Sequence, residues 1–545
     1  MKIRSLLSCH EMTFTLLAAL WFTAVGNGWF IWRAWQLIDY QRIVSYLFAL
    51  SVPLVLFCAF TALFSLFALP WIRKPLLTLL LLVSAAANYF SVSYGTVIDT
   101  NMVQNVFETN CQEALALITP RYLLWMLLAG LLPAVLLCSL HIICQRPWWM
   151  GLALRLATAL AALATILLIA AFFFKDYASL VRNNKPIVKL VTPANAISGV
   201  GHYVQDRWFS GSQALVRLGE DARTGPRIAA ADKKTLVVLV LGETARAENF
   251  SLGGYGRNTN PKLARQDVIY FPRATSCGTE TAVSVPCMFS GMTRSHYDAT
   301  LARHREGLLD VMAHAGVSVL WRENDGGCKG ACNRVPHTDM TQWQLPAPRC
   351  GTEGCLDEVL LYRLNHYLDG LDNNGVVVLH QMGSHGPAYY RRYPAGERPF
   401  TPTCDSHQIQ LCDHQALVNT YDNSVRYTDS MLSDTLDLLK GYGDRFNIAL
   451  IYLSDHGESL GEHGMYLHGA PWLFAPSQQT HIPFLMWLSP GWRQAMHVDG
   501  HCVSQRAARE AVSQDNLFHT LLGMLDVHTR IYQPQLDILA ACRQS

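Results

Sequence analysis

The chain has 545 residues, with 43 Lys+Arg against 41 Asp+Glu and a formal net charge of +2. Residues 1–174 hold nine basic and five acidic side chains, which leaves 34 basic and 36 acidic beyond. So neutral a C-terminal part lacks the positive field that a phosphate backbone requires, which excludes a nucleic-acid partner.

From the start of the chain, five segments are long, apolar and free of charge: about Thr13–Trp32, Ile43–Ile72, Pro75–Val97, Tyr122–Cys144 and Leu156–Phe174. Each reaches or nears the roughly 20 residues that cross a hydrocarbon layer of about 30 Å. The first has the look of a signal peptide, but its length and the four similar segments behind it predict an uncleaved span. Lys2 and Arg4, Arg73 and Lys74, and Arg146 with Arg155 mark the cytoplasmic ends. The loop 98–121, with Asp99, Glu108 and Glu113, then lies outside, as does everything after Phe174. Residues 1–174 are therefore expected to form a transmembrane domain. Residues 175–230, with Tyr177, Tyr203, Trp208 and Phe209, read as a bridging segment of short amphipathic helices or plain linker at the membrane surface.

From Lys233 the pattern changes, and residues 231–545 read as an α/β domain. "KTLVVLVLGETAR" is a β-branched run suited to a strand buried on both faces. Similar runs recur at "GVSVLWREN", "NGVVVLHQMGSHG", "FNIALIYLSDHGES" and "IPFLMWLSPG", with helical stretches such as "EGLLDVMAHA" between them. This alternation predicts a central, mostly parallel sheet between helices.

Ten of the fifteen cysteines follow residue 276, eight of them as close neighbours: 277/287, 328/332, 350/355 and 404/412. An oxidising compartment favours four disulfides, although Cys328-x3-Cys332 with Cys350-x4-Cys355 also has zinc-ribbon spacing. Pairing of Cys502 with Cys542 is left open. Cys9, Cys58, Cys138 and Cys144 read as small apolar residues in or near spans.

Polar residues able to bind metal follow the strands: Glu243, then His380 and His385, then Asp455, His456, Glu458, Glu462, His463 and His468. Open α/β sheets bind ligands at the carboxyl ends of their strands. Any one of these residues alone is explained by capping or core hydrogen bonds. Asp-His at a strand end with more histidines within thirteen residues points instead to a divalent ion held by carboxylate and imidazole. Thr281 lies within the ring that a Cys277–Cys287 bridge would close, beside Thr279 and Ser284. A threonine hydroxyl is a poor nucleophile near neutral pH unless a metal or base activates it, so holding it still is a reason for the staple.

"GETAR", "CGTETAVSVPCMFS", "DGGCKGACNRVPH", "MGSHGPAYYRRYP" and "LSDHGESLGEHGMYLHGAP" together resemble the phosphoethanolamine–lipid A transferases, which include the mobile colistin-resistance enzymes. The likeness runs the whole chain and implies a catalytic domain of the alkaline phosphatase/sulfatase type. It implies Zn2+ (one ion, or one with a second) held by Glu243, Thr281, Asp455 and His456, and Thr281 as the nucleophile. Lys329, His385 and His468 match residues around the transferred phosphate or a second metal. Asn105, Thr109 and Glu113 match positions that bind the lipid donor. His463 stands where relatives are expected to carry Asn, and Glu280 where they carry a small residue.

The resemblance implies phosphatidylethanolamine as donor, lipid A as acceptor, surrounding membrane lipids as partners, and a monomer in the bacterial inner membrane with its catalytic domain in the periplasm. Polymyxin resistance would follow from the added amine. The rival activities are the same transfer onto a lipopolysaccharide core sugar or a periplasmic glucan, and phosphoglycerol transfer or phosphodiester hydrolysis. No Cys/Ser-x-Pro-x-Arg motif supports a sulfatase. A non-catalytic membrane scaffold would not need all four ligands intact.

Overall fold

The computed structural model describes residues 8–40, 42–67, 69–108, 114–115, 117–143, 147–205, 214–343, 350–351, 354–472 and 474–544. The chain divides into two compact units, Met1–Val106 with Ile118–Arg207, and Phe107–Leu117 with Trp208–Ser545.

In the first unit, Ile43–Leu66, Arg73–Tyr94, Pro120–Ser139 and Trp148–Val181 are long and apolar enough to cross a membrane. Glu11–Gly26 and Gly28–Gln36, bent by 55°, make a fifth when the pair is taken as one span. The apolar run there predicts one continuous helix, but Asn27 breaks it. Its amide donates to Phe22 O at 2.8 Å and to Thr192 O at 2.7 Å, and its oxygen accepts from Thr192 N at 2.9 Å. A buried polar side chain is tolerated because every group it carries is paired. At the other side of the first span, Glu11 is buried and accepts from Arg73 at 3.0 Å and Arg155 at 2.5 Å. Two of the basic clusters expected to share one face of the membrane thus meet on one carboxylate. The last helix runs on past Phe174 to Asn183, with a non-helical residue at Phe173.

The second unit is built on a seven-stranded sheet. In chain order its strands are β1 (Lys234–Gly242), β2 (Ile269–Tyr270), β3 (Ser318–Glu323), β4 (His337–Asp339), β5 (Gly375–His380), β6 (Phe446–Ser454) and β7 (Phe484–Leu488). They lie side by side in the order β2–β7–β6–β1–β5–β3–β4. From β6 to β4 neighbours are parallel, and β7 is antiparallel to β6 and to β2. Side chains alternate across β1. Val237, Leu239 and Leu241 enter the core under α1 (Thr281–Ser290), α2 (Leu308–His314), α4 (Gly500–Arg509) and α5 (Leu517–Met524). Leu236, Val238 and Val240 enter the opposite core, under α3 (His414–Lys440). All six are fully buried, which is why the strand reads as an unbroken apolar run rather than an alternating one. The parallel strands all end on the same side, and their ends set the position of the site.

Among the described residues five disulfides brace this unit: Cys277–Cys287, Cys328–Cys332, Cys350–Cys355, Cys404–Cys412 and Cys502–Cys542. The zinc-ribbon alternative is removed, because its four sulfurs pair locally. Among the described residues the remaining cysteines, Cys9, Cys58 and Cys138, are free.

Candidate active site

The register of β1 against β6 pairs Gly242 with Ser454, so the next residues, Glu243 and Asp455, leave the sheet side by side. Asp455 N donates to Gly242 O at 2.9 Å, which continues the ladder one step into the site. His456 follows. Its Nδ1 donates to Gly457 O at 2.8 Å, so Nε2 is the nitrogen presented to its neighbours. Thr281 arrives from the other direction as the first residue of α1, with Glu280 as N-cap and Gly291 at φ 72 closing the far end.

These four side chains meet. Thr281 Oγ1 lies 3.1 Å from Glu243 Oε2 and 3.4 Å from His456 Nε2. His456 Nε2 lies 3.3 Å from both Glu243 Oε1 and Asp455 Oδ2. Glu243, Asp455 and His456 are wholly buried, and their ligand atoms fall within 4.8 Å of one another. Asp455 Oδ2 accepts no hydrogen bond. Burial would raise Glu243, but the His456 imidazole beside it holds its carboxyl well below the usual carboxylate range. Burial, and then the Glu243 charge, push Asp455 up. Burial would lower His456, yet the Asp455 and Glu243 carboxylates outweigh it and push the imidazole up. Two carboxylates this close in a dry site need positive charge. Either His456 supplies it as imidazolium or a cation does, and two carboxylates, an imidazole and a hydroxyl make a fitting donor set for a divalent ion.

The surroundings fix these groups. Thr244 sits in the left-handed region at φ 58, a costly conformation for a β-branched residue. Three contacts hold it there: its hydroxyl donates to Glu243 Oε1, its amide to Asp455 Oδ1 at 3.2 Å, and its carbonyl accepts from Tyr421 at 2.7 Å. Gly383, at φ 52, lies against the Glu243 backbone, where any Cβ would run into Glu243 O.

His468 packs on His456 with ring centroids 4.4 Å apart, and His385 lies 5.3 Å from His468. His468 Nδ1 is 3.3 Å from Glu458 Oε2, and burial raises the Glu458 carboxyl. Lys329 has φ 49 within the Cys328–Cys332 loop. Asn105 lies on the helix Thr100–Glu108 of the first unit; Thr109 and Glu113 fall outside the described residues.

Two residues grouped with the site by sequence have other surroundings. Glu462 pairs with Arg246 at 2.8 Å. His463 is exposed at φ 52, in the region where Asn is the favoured non-glycine residue.

Residues 235–527 match the family described as Sulfatase, and residues 56–208 the one described as Phosphoethanolamine transferase EptA/EptB. The chain is 46% identical over 538 residues to the phosphoethanolamine transferase EptA of Salmonella typhimurium, covering 98% of this chain and 97% of the relative. It is 36% identical over 524 residues to the phosphatidylethanolamine transferase Mcr-1 of Escherichia coli, covering 93% and 94%. The chain belongs to the phosphoethanolamine transferases. Its fold matches that of the integral membrane lipooligosaccharide phosphoethanolamine transferase A from Neisseria meningitidis with a TM-score of 0.92 at 40% identity, covering 98% and 99% of the two chains. The family resemblance carried by the five motifs is borne out.

One supporting residue of this transferase fold carries no sequence signal. Gln514 is 1% exposed. Its amide nitrogen donates to Ser454 O at 2.8 Å and Asp455 O at 2.7 Å, and its oxygen accepts from Cys277 N at 2.7 Å. It ties the stapled loop that carries Thr281 to the strand end that carries Asp455. A second tie runs from Thr279, whose hydroxyl donates to Ala470 O at 2.8 Å while its carbonyl accepts from Gly469 N at 2.8 Å. That bond places the loop beside His468.

Proposed function

We propose that the chain transfers phosphoethanolamine from phosphatidylethanolamine to a phosphate of lipid A, with Thr281 carrying the headgroup between the two half-reactions. The observation that carries this reading is the Thr281 hydroxyl at the first turn of α1, 3.1 Å from Glu243 and 3.4 Å from His456. Glu243, Thr281, Asp455 and His456 would hold a Zn2+ ion, and the chemistry it supplies is a lowered alcohol pKa and charge neutralisation at the phosphoryl group.

The rest falls to the chain's own side chains. Thr281 Oγ1 attacks the donor phosphorus, a P–O bond forms to threonine, and the bond to the diacylglycerol oxygen breaks. With its Nδ1 facing Glu458 at 3.3 Å, His468 presents Nε2 to take the threonine proton and pass it to that departing oxygen. The first amides of α1 face the phosphoryl oxygens, as helix N-termini do. Lys329 and His385 supply further charge around the phosphate. In the second half-reaction a phosphate oxygen of lipid A attacks the phosphothreonine ester and frees Thr281. The donor site would include Asn105, Thr109 and Glu113, the chain acting as a monomer in the bacterial inner membrane with residues 231–545 in the periplasm. An added amine on an anionic lipid weakens the surface's attraction for cationic peptides, hence polymyxin resistance.

Mass spectrometry of lipid A from cells expressing the intact chain or Thr281→Ala tests this. Lipid A should gain phosphoethanolamine only with the intact chain. Unchanged lipid A beside a modified core sugar or glucan would move the acceptor, and free phosphoethanolamine would mean hydrolysis.

A further inference from the structure

The strand order β6–β1–β5–β3 sets four strand ends in a row, and the carboxylates and imidazole that meet Thr281 come from only the first two. The third is His380, which the register places beside Leu241 of β1 and Glu323 of β3. His380 is fully buried. Its Nδ1 lies 3.0 Å from Glu323 Oε2.

Glu323 is itself fixed. Its Oε2 accepts from Trp321 Nε1 at 3.0 Å, and its Oε1 accepts from the amides of Asp325 and Gly327, both at 2.7 Å. A carboxylate held this firmly on Nδ1 sets the tautomer and aims Nε2 away from it, which is how ligand histidines are oriented. His380 Nε2 makes no hydrogen bond. It faces Asp325 Oδ2 at 3.6 Å, and Asp325 is only 9% exposed. Nitrogen and oxygen ligands about 2.1 Å from a tetrahedral zinc lie about 3.4 Å from each other. A Glu243 oxygen also falls within 4.8 Å of a ligand atom on each of Asp325 and His380.

We propose that Glu243, Asp325 and His380 hold a second divalent cation, with the Glu243 carboxylate shared between this site and the one at Thr281. The proposal rests on the reading of Glu243 as a metal ligand. It uses none of the residues of any site at His385 and His468, whose rings pack on each other, with His468 also on His456. The mixed nitrogen and oxygen donors suit zinc among the common divalent ions. A cation here leaves Glu243 with charge on both sides, and so holds it rigid beside the nucleophile.

The test uses the full-length protein in detergent, stripped of metal and reloaded with zinc alone. Zinc per chain is measured by inductively coupled plasma mass spectrometry for wild type, Asp325→Asn and His380→Gln, and wild-type crystals are measured at the zinc absorption edge. The expected result is one zinc fewer per chain in each variant, and an anomalous peak beside His380 Nε2 separate from the peak among Thr281, Asp455 and His456. Equal zinc content in all three proteins, or a wild-type map with no peak at His380, overturns the proposal. If the variants fail to fold, the wild-type map decides alone. A missing peak at Thr281 with one present at His380 would instead refute the catalytic metal.

Discussion

Replacing Gln514 with Ala tests whether the Thr281 loop is held in place by the strand end opposite it. The side chain makes three buried hydrogen bonds, to Ser454 O, Asp455 O and Cys277 N. At about 1 kcal/mol net for each, the loss is about 3 kcal/mol. For a folding unit of roughly 300 residues the unfolding entropy is about 0.6 kcal/mol per kelvin, so the melting temperature should fall by about 5 °C. The larger effect should be on chemistry. A displacement near 1 Å of a reacting group costs on the order of 100-fold, and Gln514 touches no reacting atom, so its effect runs through position alone. We therefore expect kcat for phosphoethanolamine transfer to fall about 100-fold with KM for the lipid donor little changed. Steady-state kinetics in detergent and a thermal melt measure both. A Gln514→Ala protein with wild-type kcat would refute the clamp, whatever its melting temperature.

Gly383→Ala forces a Cβ against Glu243 O at φ 52, so it should destabilise by more than about 1 kcal/mol and weaken zinc binding, read by titration against a chromophoric chelator. Stripping the proposed metal should leave Glu243 and Asp455 facing each other without a divalent counter-charge; for a divalent ion at about 1,000 times its Kd the expected loss is about 4 kcal/mol, and a melt that does not shift with chelator would contradict the site. His519 is buried, its Nδ1 accepting from Gln533 N at 3.2 Å, and burial lowers it to about 4. The neutral form is the one the fold accepts. Its stabilisation is therefore complete above pH 6.5 and lost as pH falls toward about 4, costing on the order of 2 kcal/mol there. His519→Asn keeps an acceptor near Nδ1 and should flatten the pH dependence of the melting temperature across that window; parallel curves for the two proteins would exclude His519 as its source.

Five of the seven strands of the central sheet were legible because a run such as Leu236–Leu241 is apolar on both faces; the short edge strands Ile269–Tyr270 and His337–Asp339 carry no such run. The order of the strands was not legible. Glu243 and Asp455 are neighbours only because β6, far along the chain, inserts beside β1, and nothing local to either residue encodes that pairing. The motif residues themselves stood out, since Asp-His at a strand end has few bland explanations. Gln514 did not, because a lone Gln between Ser513 and Asp515 looks like any surface turn until its carbonyl partners are placed. Cysteines close in sequence paired as their spacing suggested, while Cys502 and Cys542, 40 residues apart, needed the fold to bring them together. Hydropathy carried the first span straight through Asn27, because the Thr192 that satisfies its amide lies 165 positions away.

The claim on which the rest depends is that Thr281 accepts the headgroup. Incubating the purified chain with phosphatidylethanolamine and no acceptor, then mapping its peptides by mass spectrometry, tests it directly. The peptide containing Thr281 should carry phosphoethanolamine, and adding lipid A should discharge it. An unmodified Thr281 peptide under conditions where turnover occurs, or the group found on another residue, would contradict the account.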